Sequence, residues 1–103
     1  MVNDMYDMTK LREKTFDFIF IDGREIHVFS PTLKARNEII SLFQDTNNYV
    51  ENLPKAISKI ISNNREKIDF SSEEITEKLT ENEMTDLIDH FTNWLNSEMN
   101  EKN

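Results

Sequence analysis

The chain has 103 residues, no cysteine, one glycine and two prolines. That leaves room for one modest core and excludes disulfides, thiol nucleophiles, Cys-ligated metals and a glycine-rich phosphate cradle. Its formal net charge of −8 disfavours nucleic acid and anionic membrane as partners, since anionic surfaces repel phosphate.

Hydrophobic residues make up 37% of the chain and charged residues 31%. Seven Phe, with many Ile and Leu, supply enough core formers to exclude pure disorder. The charge is unevenly placed. Residues 69–101 carry ten acids and one base, Lys78, whereas the rest carries ten acids and eleven bases. A solvated acidic face or a basic partner protein explains such a segment. Acids interrupt the apolar residues of the first 20 positions, so no signal peptide is expected. Apolar runs stay far below the roughly 20 residues that span a bilayer.

Residues 1–14 place Met5, Met8 and Leu11 at mixed spacing, which suits a frayed helix or a loose tail; residues 98–103 are likewise expected to be loosely held. "FDFIFIDGREIHVFSPT" then alternates. Phe16, Phe18 and Phe20 share one face, with Asp17, Ile19 and Ile21 on the other. Asp22-Gly23 supplies residues that tolerate positive φ at a hairpin turn. The return strand, about 25–29, sets Ile26 and Val28 opposite His27 and Phe29. A lone hairpin is marginal in water, so helices further along, or a partner's strands, must cover its Phe face.

Ser30-Pro31 reads as an N-cap followed by proline at the first helical position, opening a helix to about Gln44. Asp45–Asn48 is a polar break, and Tyr49, Val50 and Leu53 suggest a short linking turn. Leu53, Ala56, Ile57, Ile60 and Ile61 form a one-sided helical stripe that ends at Asn63-Asn64. Both prolines thus fall at predicted boundaries. Ile68 and Phe70 anchor the connection that follows. Ser71 with Glu74, and Thr80 with Glu83, fit capping boxes that open a short helix and a final one. The final helix carries Met84, Leu87, Ile88, Phe91, Trp94, Leu95 and Met99 at helical spacing. The predicted fold is a single domain, mainly α with an N-terminal β-hairpin (α+β), in which three to four helices pack on the hairpin.

The residues give little support to catalysis. Asp86 and His90 share a helical face, but two ligands fall short of the three or four a zinc site needs, and His27 is remote in sequence. Serines sit at caps or on polar faces, and no G-x-S-x-G elbow exists. The abundant carboxylates are explained by helix N-termini. The basic residues form no stripe with interleaved aromatics. No catalytic residue, cofactor or metal is expected.

The order hairpin then helices, with "FIFIDGREIHVF", "FSPTLKARNEIISLF" and "IDFSSEEITEKLTENEMTDLIDHFTNWL", resembles the tail assembly chaperones of long-tailed bacteriophages and prophages. The resemblance covers about residues 15–97. It implies a small, non-enzymatic, mainly α protein in the cytoplasm of the bacterial host. Such a protein binds the apolar, helix-forming tape measure protein and keeps it soluble while tail tube subunits assemble. It further implies self-association, and contact with the tail tube protein is a further expectation. Phe16, Phe18, Phe20, Met84, Leu87, Phe91 and Trp94 are the candidate residues, to be divided between the core and a client groove. The rival reading is an acidic inhibitor or immunity-type protein that blocks a basic enzyme by matching its charge.

Overall fold

The computed structural model describes residues 5–100. Alternation builds the first unit, a hairpin of β1 (Phe16–Ile19) and β2 (Glu25–Val28). Phe16 pairs with Val28 and Phe18 with Ile26, so the apolar sets of both strands share one face. Ile26, Val28 and Phe20 are buried there, while Ile19 points to solvent at 69% exposure. The turn differs from the sequence expectation in one respect. Gly23 alone takes positive φ, at 96°. Phe20 N–H donates to the Arg24 carbonyl (2.8 Å) and Gly23 N–H to the Phe20 carbonyl (2.8 Å), which makes a three-residue loop. Asp22 instead accepts from Arg24 N–H (3.2 Å) and Arg24 Nε (2.8 Å).

Four helices follow: α1 (Leu33–Gln44), α2 (Tyr49–Ile61), α3 (Ser72–Lys78) and α4 (Glu81–Asn100). The predicted class, mainly α with an N-terminal hairpin, is the observed one. Ahead of the hairpin, Met8–Glu13 forms a 3-10 turn with no buried residue, capped by Asp7, which accepts from Thr9 N–H (3.0 Å). Residues 1–4 and 101–103, part of the ends expected to be loose, lie outside the described residues, as does the Met99 side chain.

Two helix starts depart from expectation. Thr32, not Ser30, caps α1, accepting from Ala35 N–H (3.2 Å). Phe29 N–H bonds the Asn63 carbonyl (2.9 Å) and Ser30 O accepts from Asn63 Nδ2 (3.4 Å), so the chain stays extended past β2 and the helix begins later. The expected linking turn at Tyr49–Leu53 is the first turn of α2, and Pro54 is buried inside that helix rather than at its edge. The N–H that proline lacks would have met the carbonyl of Val50, in the first turn, where Val50 is 65% exposed. Leu53, Ala56, Ile57, Ile60 and Ile61 are all buried, as their spacing predicts. Thus α2 is the central element, touching α1, α3, α4 and β2. The Thr80 box is complete: Thr80 N–H donates to Glu83 (2.8 Å) and Glu83 N–H to Thr80 (3.1 Å). Ser71 caps α3 by accepting from Glu74 N–H (3.1 Å), while the Glu74 carboxylate turns to Lys78 and Arg24.

The segment after α2 closes the outer edge of β2. Arg65 N–H donates to the His27 carbonyl (2.8 Å), and Val28 bridges Asn64. Glu66 accepts from His27 N–H (3.0 Å) and pairs with the His27 ring (2.5 Å). Asn64 is buried and ties the segment together: its Nδ2 donates to Ile61 O (2.6 Å) and Ile68 O (2.8 Å), and its Oδ1 accepts from Ile68 N–H (2.9 Å). An alanine here strands three backbone groups. Asn64→Ala is expected to cost about 2 kcal/mol in urea unfolding. Exposed Asn63→Ala, which loses one long bond, is expected to stay within about 0.5 kcal/mol.

Candidate partner-binding grooves

An aromatic cluster fastens β1 to α4. The Phe16 ring lies 5.6 Å from Phe91 and 6.0 Å from Trp94, with Phe18 at 5.8 Å on the same strand. Phe20 turns to a separate contact, 4.9 Å from Phe70, and the Arg24 guanidinium stacks over both rings. The seven candidate residues therefore divide. Phe20, Met84 and Phe91 are buried in the core, whereas Phe16, Phe18, Leu87 and Trp94 are half-buried against it.

The half-buried set leads to a groove of about 390 Å³ between β1 and α4. Phe16, Phe18, Leu79 and Leu87 supply apolar surface; Asp17, Glu83 and Asp86 supply charge, with His90 beside them. No Lys or Arg lines it. His90 and Asp86 are 3.6 Å apart on α4, the predicted helical neighbours.

A second and larger groove, about 560 Å³, lies where the first half of α2 meets α3 and the start of α4. Val50, Leu53, Pro54 and Met84 line it with apolar surface. Glu51, Glu73, Glu77 and Glu81 bring four carboxylates against a single lysine, Lys55. The sequence reading did not assemble this groove. Glu73, Glu77 and Glu81 belong to the acidic segment 69–101, but Glu51 does not. Local pattern puts Val50 in a linking turn and Pro54 at a boundary, which hides their place on the same wall as Met84.

Two bases close to the second groove, Lys78 and Arg24, are already committed elsewhere. Lys78 reaches Glu74 (3.0 Å) and Asp22 (3.8 Å), and Arg24 reaches Asp22 (2.7 Å) and Glu74 (3.2 Å). This four-residue network ties the hairpin turn to α3. It leaves Glu73 and Glu77 without a basic partner among the described residues. The Lys78 hydrogen bond, outweighing partial desolvation and aided by Arg24, holds the Glu74 carboxyl below the usual range. The Arg24 hydrogen bond does the same for Asp22.

Among the described residues, no group of three or more His, Asp or Glu stands where it could hold a metal ion. No helix of the described residues is long and apolar enough to cross a membrane. No protein-family model, curated protein or solved structure matches the chain.

The charge network has a pH signature. Carboxyls with folded pKa values below their unfolded ones stabilise the fold above their unfolded pKa and lose that contribution as pH falls through the folded value. Stability is thus expected to decline between roughly pH 5 and pH 2. Arg24→Met, which keeps an apolar stem over Phe20 and Phe70, is expected to flatten that decline when melting temperature is followed against pH.

Proposed function

We propose that the chain is a non-catalytic binding protein that holds an apolar, helix-forming segment of a partner. In its specific form the proposal is a tail assembly chaperone of a long-tailed bacteriophage or prophage, acting in the host cytoplasm, with the tape measure protein as client. One observation carries the reading: the α2–α3–α4 groove combines an apolar wall with four carboxylates that its single lysine, Lys55, does not balance. An α-helix is about 10–12 Å across, and one with an apolar stripe flanked by Lys and Arg is complementary to such a surface. The resemblance in element order supports the choice of client. Self-association and contact with the tail tube protein belong to the same proposal.

A holdase needs apolar surface to cover its client and charge to keep the complex dispersed, and the groove joins both. The competing reading, an acidic inhibitor of a basic enzyme, draws on the same carboxylates but makes a different demand. Its complex depends on charge, so salt screens it, whereas apolar capture resists salt.

Co-expression with tape measure fragments from the same phage, followed by pull-down in low and high salt, separates the two. Salt-resistant capture that keeps the fragment soluble is the expected result. Val50 is exposed, so Val50→Asp is expected to preserve the fold and weaken capture about tenfold or more, the loss of roughly 1.4 kcal/mol of apolar contact. Absence of capture at either ionic strength, with the protein folded, would remove this client. Capture of a basic enzyme that dissolves in high salt would favour the inhibitor.

A further inference from the structure

The hairpin is closed on one side and open on the other. In an antiparallel ladder, alternate residues direct their N–H and C=O groups to the partner strand. Phe20 N–H bonds the Arg24 carbonyl, so with the observed register Phe18 and Phe16 also face β2. Asp17 and Ile19 then direct their backbone groups away from it. The same alternation turns His27 and Phe29 outward from β2, and there they are occupied. His27 O accepts from Arg65 N–H, His27 N–H donates to Glu66, and Phe29 N–H donates to Asn63. Beyond β1, no described residue takes the N–H or C=O groups of Asp17 and Ile19.

Unpaired strand edges are templates for further strands, and proteins usually guard them with lysine, proline or a covering element. Among the described residues, β1 carries no lysine or proline and no strand pairs with this edge. Ile19 and Ile21 are 69% and 57% exposed beside it. Its one charge, Asp17, accepts from Thr15 Oγ1 at 2.6 Å. The 390 Å³ groove runs along this edge: its lining takes five residues from Phe16 to Ile21, none from β2, and closes on α4. An added strand would lie about 4.8 Å from β1, inside that groove.

We propose that the open edge of β1 and the facing wall of α4 form a second docking site, which takes an extended segment of a partner protein as a third strand with alternating apolar and basic side chains. Apolar side chains meet Phe18, Leu79 and Leu87. Basic side chains meet Asp17 on the opposite face, and Glu83 and Asp86 add negative charge to the groove, which no Lys or Arg in it balances. The charge also selects against a second copy of this chain, which would bring the same acids and a net charge of −8 to the contact. This site is separate from the helix-receiving groove and does not rest on the function proposed for it.

The test uses the full chain, isotope-labelled, and a synthetic peptide of about nine residues, a long strand, alternating Val with Lys. Amide shifts are expected at Asp17, Ile19, Ile21 and Leu87. N-methylation of one alternate set of peptide amides is expected to abolish them, and methylation of the other set to spare them. Ile19→Pro removes an N–H that faces the open edge without breaking the β1–β2 ladder, and is expected to weaken binding at least about tenfold at unchanged melting temperature. Val50→Asp is expected to leave peptide binding intact. Equal effects of the two methylated sets would overturn the proposal, as would shifts confined to the Val50 groove. So would a dimer of the free protein that Ile19→Pro dissociates, since a second copy would then own the edge. Should Ile19→Pro lower the melting temperature, the methylated peptides decide alone.

Discussion

Asn64 joins three parts of the molecule at one buried corner. Its amide caps the end of α2 at Ile61, closes the connection at Ile68, and sits where the backbone lies against Val28. A buried amide is costly unless its donors and acceptor are met, and here both donors and the acceptor are. The arrangement also explains Lys67, which is left-handed at φ 61° with its N–H on the Asn64 carbonyl (3.3 Å). A left-handed side chain costs roughly 1–2 kcal/mol, and the clamp on either side of it holds the turn in place. With this corner fixed, Arg65 and Glu66 reach His27, and β2 gains a neighbour on its outer edge. Burial works against the Glu66 charge, yet the His27 bonds still hold its carboxyl below the usual range.

The helices contribute unequally. Leu53, Ile57, Ile60 and Ile61 of α2 are at most 5% exposed, and each such side chain contributes roughly 1.5–3 kcal/mol on burial. In α1 only Ile39 is buried, at 7%, and Leu33 remains 70% exposed. So α2 organises the core while α1 leans on it, joined through Asn52, whose Nδ2 donates to Leu42 O (3.1 Å). Both grooves arise from this hierarchy. One opens beside the first turns of α2, where Val50 and Pro54 come to the surface of the core. The other opens where the long α4 passes a hairpin too narrow to cover it.

Local patterns made much of this legible in the sequence. Alternation placed Phe16, Phe18 and Phe20 on the covered face; helical spacing selected the buried residues of α2; and Thr80 with Glu83 marked the start of α4. What escaped depends on distant partners. Thr32 replaced Ser30 as cap because Phe29 and Ser30 are held extended by Asn63, thirty-odd residues away. Pro54 read as a boundary because local propensity opposes proline in a helix, and packing overrode it. Neither the strand-like run at Asn63–Glu66 nor the grooves has a local signature, since each is made by elements that meet only in three dimensions. The seven candidate residues divide into three buried and four half-buried, and that division depends on how far the hairpin covers α4, which no local pattern states.

The aromatic contact between β1 and α4 also sets an order of events in synthesis. Phe16 emerges from the ribosome well before its covering rings, Phe91 and Trp94. At about 5–20 residues per second, that leaves the Phe face of the hairpin without α4 for roughly 4–15 s, far longer than a hairpin takes to form. During that interval the nascent chain presents an apolar sheet to whatever is nearby. α4 is thus the element that ends this exposure, and a chain cut short before Phe91 would keep it permanently.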